Sequence, residues 1–533
     1  MIPDRQFTRP PLFDRTAHLD RLRHETHDLL VVGGGSAGAG LALDAALRGR
    51  RVALIDAGDF GGETSSASTK LAHGGVRYLE KAVREFDWNQ YRLVREALRE
   101  RQNLLRLAPH LGHVLPLAVP VANAWERFYF GAGLQLYDAL AGRRSLGSTR
   151  WLSPKAFAER LPALEASRLA GGWLYTDGQF DDANYNLALA RTAAAAGAVA
   201  ANYIRCLSFS FSEKDQRHVV QLKDEETGRE WETSCRIVAN CTGAQADRLR
   251  LVAVPESQPR LRASSGVHVV VPREVLPVDV GWLLPETADG RVLFVLPWMG
   301  RTLVGTTDTP HDDPSIPPEV TSSDVHYLSD ELNYYLRNPV DLYRQGIGFF
   351  AGLRPLVGGK GKSTQALIRN HEVEVVPMRQ VIHVLGGKWT TYRQMAKEAA
   401  DAVDRLLGEK PRPCRTEYTL LAGGDPDDLR WPYGCETDRA GTPRSEKQPW
   451  LPVDASALAS EVDFAVRYGM ARRVEDVLVR RLRWVVLDCR SALEHVEPVA
   501  GLMAHLLHWD EGQTMSAAQR CSELIHRRFT CVD

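Results

Sequence analysis

The sequence predicts an α/β fold whose first domain is Rossmann-like. Three observations indicate it. An apolar strand over residues 28–32 leads into a Gly-x-Gly-x-x-Gly turn, an Ala/Leu-rich helix follows over 41–47, and a second apolar strand over 51–56 ends on an acid. That acid lies about 20 residues beyond the glycines, as it does in dinucleotide-binding βαβ units. The order of elements therefore predicts a βαβ unit at the start of the fold.

Each residue of this turn has a place in a dinucleotide site. Gly33 permits the tight turn, Gly35 lets the backbone approach a pyrophosphate, and Gly38 lets the helix pack closely on the strand. The helix N-terminus offers N–H groups and a partial positive charge to the phosphates, and Asp56 can accept from a ribose hydroxyl. We therefore expect a dinucleotide to be bound by Gly33, Gly35, Ser36, Gly38 and Asp56.

Length and composition place the chain among ordinary globular proteins. With 533 residues it should form two or three domains, and its net charge of −1 leaves no overall field to attract nucleic acid. Residues 1–27 lack the apolar core of a signal peptide, and no apolar stretch is long enough for a transmembrane helix. The eight cysteines form no C-x-x-C pair, so we expect reduced thiols, no metal site and a cytoplasmic location.

A second stretch rich in glycine and hydroxyl residues follows the second strand, over 64–80. Small hydroxyl side chains and backbone N–H groups suit a pyrophosphate and the edge of an isoalloxazine ring, so this stretch favours FAD over NAD. The predicted FAD contacts within it are Thr64, Ser65, Ser66, Ser68, Lys70, His73, Gly74 and Gly75.

The same stretch resembles, almost residue for residue, the signature of the FAD-dependent, quinone-linked glycerol-3-phosphate dehydrogenases. The resemblance runs over about residues 28–405 and continues more loosely to the end. It implies an FAD-binding domain of the glutathione-reductase/D-amino-acid-oxidase type, an antiparallel-sheet substrate domain and a C-terminal α-helical domain. Further motifs that carry the resemblance lie at residues 180–183, 294–299, 305–308, 352–356 and 386–393.

The predicted domains are discontinuous in sequence. They are an N-terminal extension at 1–27, an FAD-binding domain at 28–110, 170–260 and 350–408, a substrate domain at 111–169 and 261–349, and a helical domain at 414–533. The residue pattern also predicts a helix over 183–201, a Gly/Pro-rich loop over 352–362, and amphipathic helices over 454–487 and 494–528.

The resemblance implies oxidation of sn-glycerol 3-phosphate to dihydroxyacetone phosphate. A hydride leaves C2 for the flavin N5, a base takes the hydroxyl proton, and a quinone receives the electrons. A dianionic phosphate needs fixed cations, preferably the fork of Arg, and the alcohol needs a proton acceptor within hydrogen-bond reach. Two alternatives stay open: an O₂-using glycerol-3-phosphate oxidase or another flavoprotein oxidoreductase, and, from another class, a flavin-binding protein that acts on tRNA or senses redox state.

Candidate residues for these roles follow from the motifs. His268, in an apolar strand, is the first candidate for the base, with His73 as its rival; Arg354 is placed in the Gly/Pro-rich turn, and Lys388 at the start of a helix. The catalytic candidates are therefore His268, Arg354 and Lys388, and the substrate-binding candidates are these three with Arg77, Tyr78 and Arg369. Further FAD contacts are expected at Thr242, Gly243, Gly387, Lys388, Thr390 and Thr391.

A quinone acceptor requires contact with a bilayer, and without a spanning helix that contact must be peripheral. One candidate surface is the aromatic segment 125–137 with Arg143 and Arg144, although a core helix fits the same pattern. The pairs 472–473 and 480–481 are Arg doublets and offer a second membrane or dimer surface. We therefore expect contact with the inner face of the cytoplasmic membrane and a homodimer, and no nucleic acid partner.

Overall fold

A computed structural model of the chain describes residues 4–75, 88–285, 287, 290–358, 371–441, 451 and 454–532. In this part of the chain the strands form two large sheets and one two-stranded sheet. The strands are β1 Thr26–Val32, β2 Val52–Ile55, β3 Leu71–Ala72, β4 Gly112–Val121, β5 Arg150–Leu152, β6 Gly171–Phe180, β7 Val199–Ala201, β8 Ile204–Ser212, β9 Arg217–Asp224, β10 Glu230–Asn240, β11 Leu261–Pro272, β12 Gly281–Leu284, β13 Leu293–Trp298, β14 Arg301–Gly305, β15 Thr309–His311, β16 Val320–Thr321, β17 Gly348–Val357, β18 His371–Val376, β19 Val381–Gly386 and β20 Cys531–Val532.

Helices cover both sheets and make up most of the C-terminal part. They are α1 Arg15–His24, α2 Ser36–Leu47, α3 Trp88–Leu107, α4 Ala124–Ala141, α5 Pro154–Arg160, α6 Asp182–Ala195, α7 Ala246–Ala253, α8 Ser322–Asn333, α9 Leu342–Gln345, α10 Tyr392–Leu406, α11 Thr437–Ala440, α12 Ala455–Arg467, α13 Trp484–Leu487, α14 Cys489–Leu493, α15 Val496–Leu507 and α16 Glu511–Arg528. The segment Asp476–Arg481 is π-helical.

The first sheet contains the predicted βαβ unit. Its path is β18-β19-β10-β1-β2-β7, and the five strands from β19 to β7 run parallel. The last four residues of β1 and all of β2 are buried, because helices cover both faces of this sheet. Helix α2 packs against α6 and α10 on one face. The α/β fold and its Rossmann-like first domain are thus confirmed.

The second sheet is antiparallel except for one pair of its described strands. Its path is β15-β11-β14-β13-β12-β4-β6-β3, with β17 on β11, β5 on β6, and the β12–β4 pair parallel. One face shares a hydrophobic cluster with the C-terminal helices, through residues such as Leu117 and Val477. The other face packs on α8 through residues such as Val269 and Leu328.

Two local predictions were wrong. Residues 352–357, expected in a loop, form the end of β17, because ten residues of this strand pair with β11 and outweigh the local effect of Gly352 and Pro355. The helix expected over 183–201 ends at Ala195, where Gly197 turns the chain into β7. The domain boundaries stay a prediction. Strand β6 and most of β17 fall in ranges expected for the FAD-binding domain, but both strands belong to the second sheet, where β6 pairs with β4 and β17 pairs with β11.

The C-terminal helices are joined to the first sheet by a buried ionic cluster. Asp59, just beyond β2, accepts hydrogen bonds from Arg480 Nε at 2.6 Å and from Arg481 Nη2 at 3.0 Å. Burial opposes ionisation of Asp59, yet the charges of Arg481 and Arg480 hold its pKa below the usual value. The prediction that this Arg doublet forms an exposed surface is therefore wrong. The other doublet is also engaged, since Arg472 pairs with Glu226 and Arg473 lies 4.0 Å from the Tyr203 ring centre.

None of the helices in the described ranges has both the length and the apolar character that a bilayer-crossing segment needs.

Replacing Asp59 with Asn should destabilise the protein strongly. The substitution leaves two guanidinium groups in a buried site with one carboxylate fewer, and loss of one partner of a buried pair costs about 3–5 kcal/mol. Urea unfolding followed by circular dichroism measures the change. The matched control is Asp427→Asn, which removes one of the two carboxylates that pair with Arg5 in exposed ion pairs and should leave the urea midpoint nearly unchanged. Equal effects of the two substitutions would contradict this assignment.

Candidate active site

The first glycine-rich turn has the close-packed geometry that a dinucleotide cradle requires. Gly33 has φ +104°, and a Cβ there would lie 2.5 Å from the carbonyl oxygen of Cys241. A Cβ at Gly38 would overlap the carbonyl oxygen of Gly33. Helix α2 begins at Ser36 without a side-chain cap. The glycine-rich turn and the N-terminus of α2 therefore have the chemistry to bind an anion, and the residues present fit the pyrophosphate of FAD.

Asp56 ends β2 beside this turn. Its carboxylate accepts from the backbone N–H of Gly34 at 2.6 Å and of Gly58 at 2.8 Å. Burial raises the pKa of Asp56 to about 6, which the two backbone N–H groups only partly offset. The position matches the acid that was expected to accept from a ribose hydroxyl of FAD.

The hydroxyl-rich stretch lies across the turn and connects it to three other segments. Ser65 Oγ accepts from the backbone N–H of Ser36 at 3.0 Å, and its carbonyl oxygen accepts from Trp389 Nε1 at 2.8 Å. Thr64 Oγ1 donates to the carbonyl oxygen of Leu353 on β17 at 2.7 Å. The stretch therefore brings the first glycine-rich turn, β17 and residues 389–391 together around one site.

The other hydroxyl and charged residues of this stretch are held by protein groups. Ser66 Oγ donates to the carbonyl oxygen of Glu63 at 3.2 Å, and Ser68 Oγ donates to Asp182 at 2.7 Å. Lys70, expected to bind FAD, has a side chain with no exposed surface, and its ammonium donates to Asp182 at 2.7 Å. The ammonium of Lys70 is fully enclosed by protein groups, and a contact between Lys70 and FAD stays a prediction. Burial lowers the pKa of Lys70 to about 7, although Asp182 opposes the shift.

The end of the stretch contacts α4. The backbone N–H of Gly74 donates to the hydroxyl of Tyr137 at 2.7 Å, and that hydroxyl donates to Asp177 at 2.8 Å. The N–H of Gly75 donates to Nδ1 of His73 at 3.1 Å. His73 thus supports the backbone of its own loop at the point where the described residues end.

Two further predicted FAD contacts lie where β10 ends. The Cα of Thr242 is 3.0 Å from the place that a Gly33 side chain would take, and Thr242 Oγ1 donates to Asn240 at 2.7 Å. Gly243 follows with φ +58°.

The remaining predicted contacts precede α10. Gly387 has φ +96°, Thr390 is buried, and Thr391 Oγ1 donates to the carbonyl oxygen of Lys388 at 3.3 Å. Because Trp389 of this segment is bonded to Ser65, residues 387–391 lie beside the hydroxyl-rich stretch.

His268 and Arg354 lie on one face of the second sheet. In the β11–β17 ladder His268 pairs with Phe350 and Ser264 pairs with Arg354, so the two functional candidates point to the same side. The imidazole stacks on the Phe350 ring at 4.7 Å between ring centres. The guanidinium of Arg354 lies over Gly266, where a Cβ would overlap it. Arg354 therefore stands on a strand, and its expected place in a turn was wrong.

The guanidinium of Arg354 is oriented by groups that the sequence analysis did not single out. Arg354 Nη1 donates to the carbonyl oxygen of Thr307 at 3.1 Å and to Asp308 at 3.2 Å, and Nη2 donates to Thr306 Oγ1 at 2.9 Å. Asp308 also accepts from Ser264 Oγ on β11. The 305–308 motif of the resemblance was the available signal, but spacing alone does not show which strand it faces.

The electrostatic surroundings of His268 favour the neutral ring. Nε2 lies 2.9 Å from the Thr69 hydroxyl. Burial, together with the charges of Lys70 and Arg354, holds the pKa of His268 well below its usual value. A neutral imidazole can accept a proton at neutral pH.

Three predicted substrate residues, Arg77, Tyr78 and Arg369, lie outside the described residues. Lys388 is described and has extended backbone just before the helical turn at Trp389–Thr391. Its place next to Gly387 puts it beside the predicted FAD contacts, and its role in catalysis stays a prediction.

Replacing Gly38 with Ala should abolish retention of FAD. The new methyl group overlaps the Gly33 carbonyl, so the turn must open and α2 must move off the strand. FAD absorbance per mole of purified protein measures the loss. The control is Gly133→Ala in α4, where a Cβ meets nothing within 4 Å. Retention of FAD by the Gly38 variant at the level of the control would argue against this cradle.

The chain is similar to known proteins over most of its length. The FAD-dependent oxidoreductase (DAO) family model matches residues 28–438. A probable glycerol-3-phosphate dehydrogenase of Encephalitozoon cuniculi (strain GB-M1) is 38% identical over 532 residues, which cover 95% of this chain and 85% of the relative. The mitochondrial glycerol-3-phosphate dehydrogenase of Homo sapiens is 37% identical, with 97% of this chain and 75% of the relative covered.

Solved structures extend the likeness over the whole chain. Glycerol-3-phosphate dehydrogenase from Bacillus halodurans, complexed with FAD, is 26% identical with a TM-score of 0.77, and the match covers 96% of this chain and 97% of the other. L-α-glycerophosphate oxidase from Mycoplasma pneumoniae, with FAD bound, shares the fold at 19% identity and a TM-score of 0.57, over 74% of this chain and 99% of the other. The chain therefore belongs to the FAD-dependent oxidoreductase family and, within it, to the glycerol-3-phosphate dehydrogenases.

Proposed function

We propose that the chain oxidises sn-glycerol 3-phosphate to dihydroxyacetone phosphate, with Arg354 binding the phosphate and His268 accepting the hydroxyl proton. When bound, FAD supplies N5 as the acceptor for the hydride that leaves C2. The observation that carries the proposal is the β11–β17 ladder, which puts the Arg354 guanidinium and the His268 imidazole on one face of the sheet. Leu353, the neighbour of Arg354 on β17, accepts a hydrogen bond from Thr64 of the hydroxyl-rich stretch. The proposal also includes Lys388, Arg77 and Tyr78, which lie in the family motifs, and Arg369, which follows the apolar segment 366–368.

Arg354 has the properties of a phosphate ligand. Its side chain is 23% exposed, and Thr306, Thr307 and Asp308 orient its guanidinium. A planar guanidinium held in this way can bind two phosphate oxygens in parallel, and such charge-assisted bonds are the strong ones in proteins. The arrangement orients the substrate by its phosphate and leaves its C2 hydroxyl for another group.

His268 supplies the proton acceptor. Phe350 and Thr69 hold the ring on both its face and its edge, so the imidazole has a fixed direction. Because the pKa of His268 is lowered, the ring is unprotonated at neutral pH and ready to take the proton as C2 becomes a carbonyl carbon.

Arg354→Ala should weaken substrate binding and leave FAD bound. Loss of a charge-assisted bond to the phosphate should raise KM for glycerol 3-phosphate by about 10- to 100-fold. Steady-state kinetics and the flavin spectrum give the two readouts. Arg260→Ala is the control, since Arg260 precedes β11 and pairs with Glu372 in a partly exposed ion pair. Loss of flavin with unchanged KM in the residual holoenzyme would refute the role of Arg354.

His268→Gln should slow flavin reduction by about 100-fold or more, because the proton acceptor is removed. In the protein without substitutions, the rate of flavin reduction should stay level from about pH 8 to pH 6.5 and fall only at lower pH. The reason is that the lowered pKa of His268 moves protonation of its ring to lower pH. Anaerobic stopped-flow measurements across pH test both statements. His526→Gln, on the exposed side of α16, is the control. A His268→Gln variant with the original rate and pH profile would dismiss His268 as the base.

The electrons then pass to a membrane quinone. Helix α4 supports this step: Trp125 is 70% exposed and Phe128 is 69% exposed, and the exposed Arg143 and Arg144 follow the helix. Aromatic rings beside cationic groups suit the headgroup region of an anionic bilayer. The opposite side of α4 carries Tyr137, which accepts from Gly74 in the hydroxyl-rich stretch, here called the flavin loop (residues 64–75), so α4 lies between this surface and that loop. A homodimer and the inner face of the cytoplasmic membrane stay predictions.

Reoxidation of the reduced flavin separates the possible acceptors. Protein reduced anaerobically with glycerol 3-phosphate is mixed either with O₂ or with a soluble quinone, with and without vesicles that contain anionic lipid. We expect fast reoxidation by quinone, slow reoxidation by O₂, and vesicle binding that weakens in the Trp125→Ser/Phe128→Ser double variant. Fast reoxidation by O₂ alone would instead favour the oxidase alternative.

A further inference from the structure

The carboxylate of Asp182 is the centre of a buried cluster beside the proposed base. Its side chain has no exposed surface. Oδ2 accepts from both the backbone N–H of Ser68 at 2.9 Å and its hydroxyl at 2.7 Å, and it also accepts from Lys70 Nζ at 2.7 Å. Asp182 therefore holds the residues on either side of Thr69.

Thr69 is the residue of this segment that reaches the site. Its hydroxyl lies 2.9 Å from Nε2 of His268. Lys70, the next residue, has φ +63°, a backbone conformation that costs energy for a residue with a side chain and persists only when its surroundings hold it. The bonds to Asp182 provide that hold, so the place of the Thr69 hydroxyl depends on the Asp182 carboxylate.

The C-terminal part of the chain completes the cluster through Arg483. Arg483 Nη2 donates to Asp182 Oδ1 at 3.0 Å and to the carbonyl oxygen of Ser66 at 3.1 Å. The side chain has no exposed surface, and Arg483 itself has φ +60°. One guanidinium thus neutralises Asp182 and binds the backbone of the flavin loop two residues before Ser68.

We propose that Asp182 and Arg483 are positioning residues that hold the 66–70 segment so that Thr69 orients the His268 ring for proton transfer. This inference rests on the proposed function. The C-terminal helices accordingly contribute to the reaction at a distance: Arg483 and Asp182 do not act on substrate, and they act through Thr69. The geometry of the chain of contacts, Arg483 to Asp182 to Ser68 and Lys70 to Thr69 to His268, carries the proposal.

The first test alters only the last contact. Thr69→Val replaces the hydroxyl with a methyl group of similar size, and Thr69→Ser keeps the hydroxyl. In FAD-loaded protein, anaerobic flavin reduction at saturating glycerol 3-phosphate should be about tenfold slower for Val and close to the original rate for Ser. The substrate concentration at half-saturation and the FAD content should change by less than about twofold in both. A Val variant with the original rate, or a Ser variant as slow as Val, would overturn the inference.

The second test asks whether Asp182 acts through Thr69. Asp182→Asn should slow flavin reduction as Thr69→Val does, and the double variant should be no slower than the slower single variant, because both remove the same orientation. Glu436→Gln is the matched control: Glu436 forms an equally buried pair with Arg191 of α6 that does not reach the flavin loop. The control should keep the original rate, and multiplicative effects of Asp182→Asn and Thr69→Val would overturn the inference.

A measurement without substrate separates this inference from the proposed function. If FAD in the unchanged protein is not reduced by glycerol 3-phosphate, the proposed function fails. The contact chain is then tested by the melting temperatures of FAD-loaded single and double variants. The shift caused by Thr69→Val should not add to the shift caused by Asp182→Asn, nor to the shift caused by His268→Gln. Ser68→Ala, which removes one bond to Asp182, replaces Asp182→Asn if the latter does not retain FAD. Additive melting shifts in both cycles would overturn the inference whatever the substrate.

Discussion

The pairing of β11 with β17 is the constraint on which the site depends. Ten residue pairs set this ladder, and its register puts His268 and Arg354 on one face with Gly266 and Gly352 between them. A shift of one residue would turn either side chain into the opposite core, so the register determines whether the proposed base and phosphate ligand meet. The absence of a side chain at Gly266 lets the Arg354 guanidinium lie against β11, and its absence at Gly352 lets Ala67 approach β17.

Buried ion pairs are the second constraint on the arrangement of the elements. The net charge of −1 does not reveal them, because acidic and basic residues nearly balance in number. Acidic and basic residues that are far apart in sequence meet in buried pairs, such as Arg101 with Asp177 and Arg393 with Glu100. Such pairs add little net stability compared with apolar residues, but each tolerates only one arrangement of its elements. Such pairs lie close to the flavin loop and α6, and they fix the backbone of that loop between the two large sheets.

Structural features set by residues close together in sequence were predicted, and features set by contacts between distant residues were not. The βαβ unit was predicted because its signals are local: the glycine spacing, the apolar strands and Asp56 all lie between residues 28 and 56. The apolar strand of His268 was predicted for the same reason. Arg354 was placed in a turn because Gly352 and Pro355 are local turn signals, whereas the partner strand that overrides them, β11, lies far earlier in the chain. Arg480 and Arg481 looked exposed because their partner, Asp59, is 421 and 422 residues away from them in sequence.

The ionic contacts between Asp59 and the Arg480–Arg481 pair make the last quarter of the chain inseparable from the nucleotide-binding half. A shortened chain that stopped before α12 would bury Asp59, Asp181 and Asp182 without the guanidinium groups that pair with them here. The helical segment is therefore the source of the cations that compensate Asp59 and Asp181, whereas Asp182 also has Lys70 as a counterion.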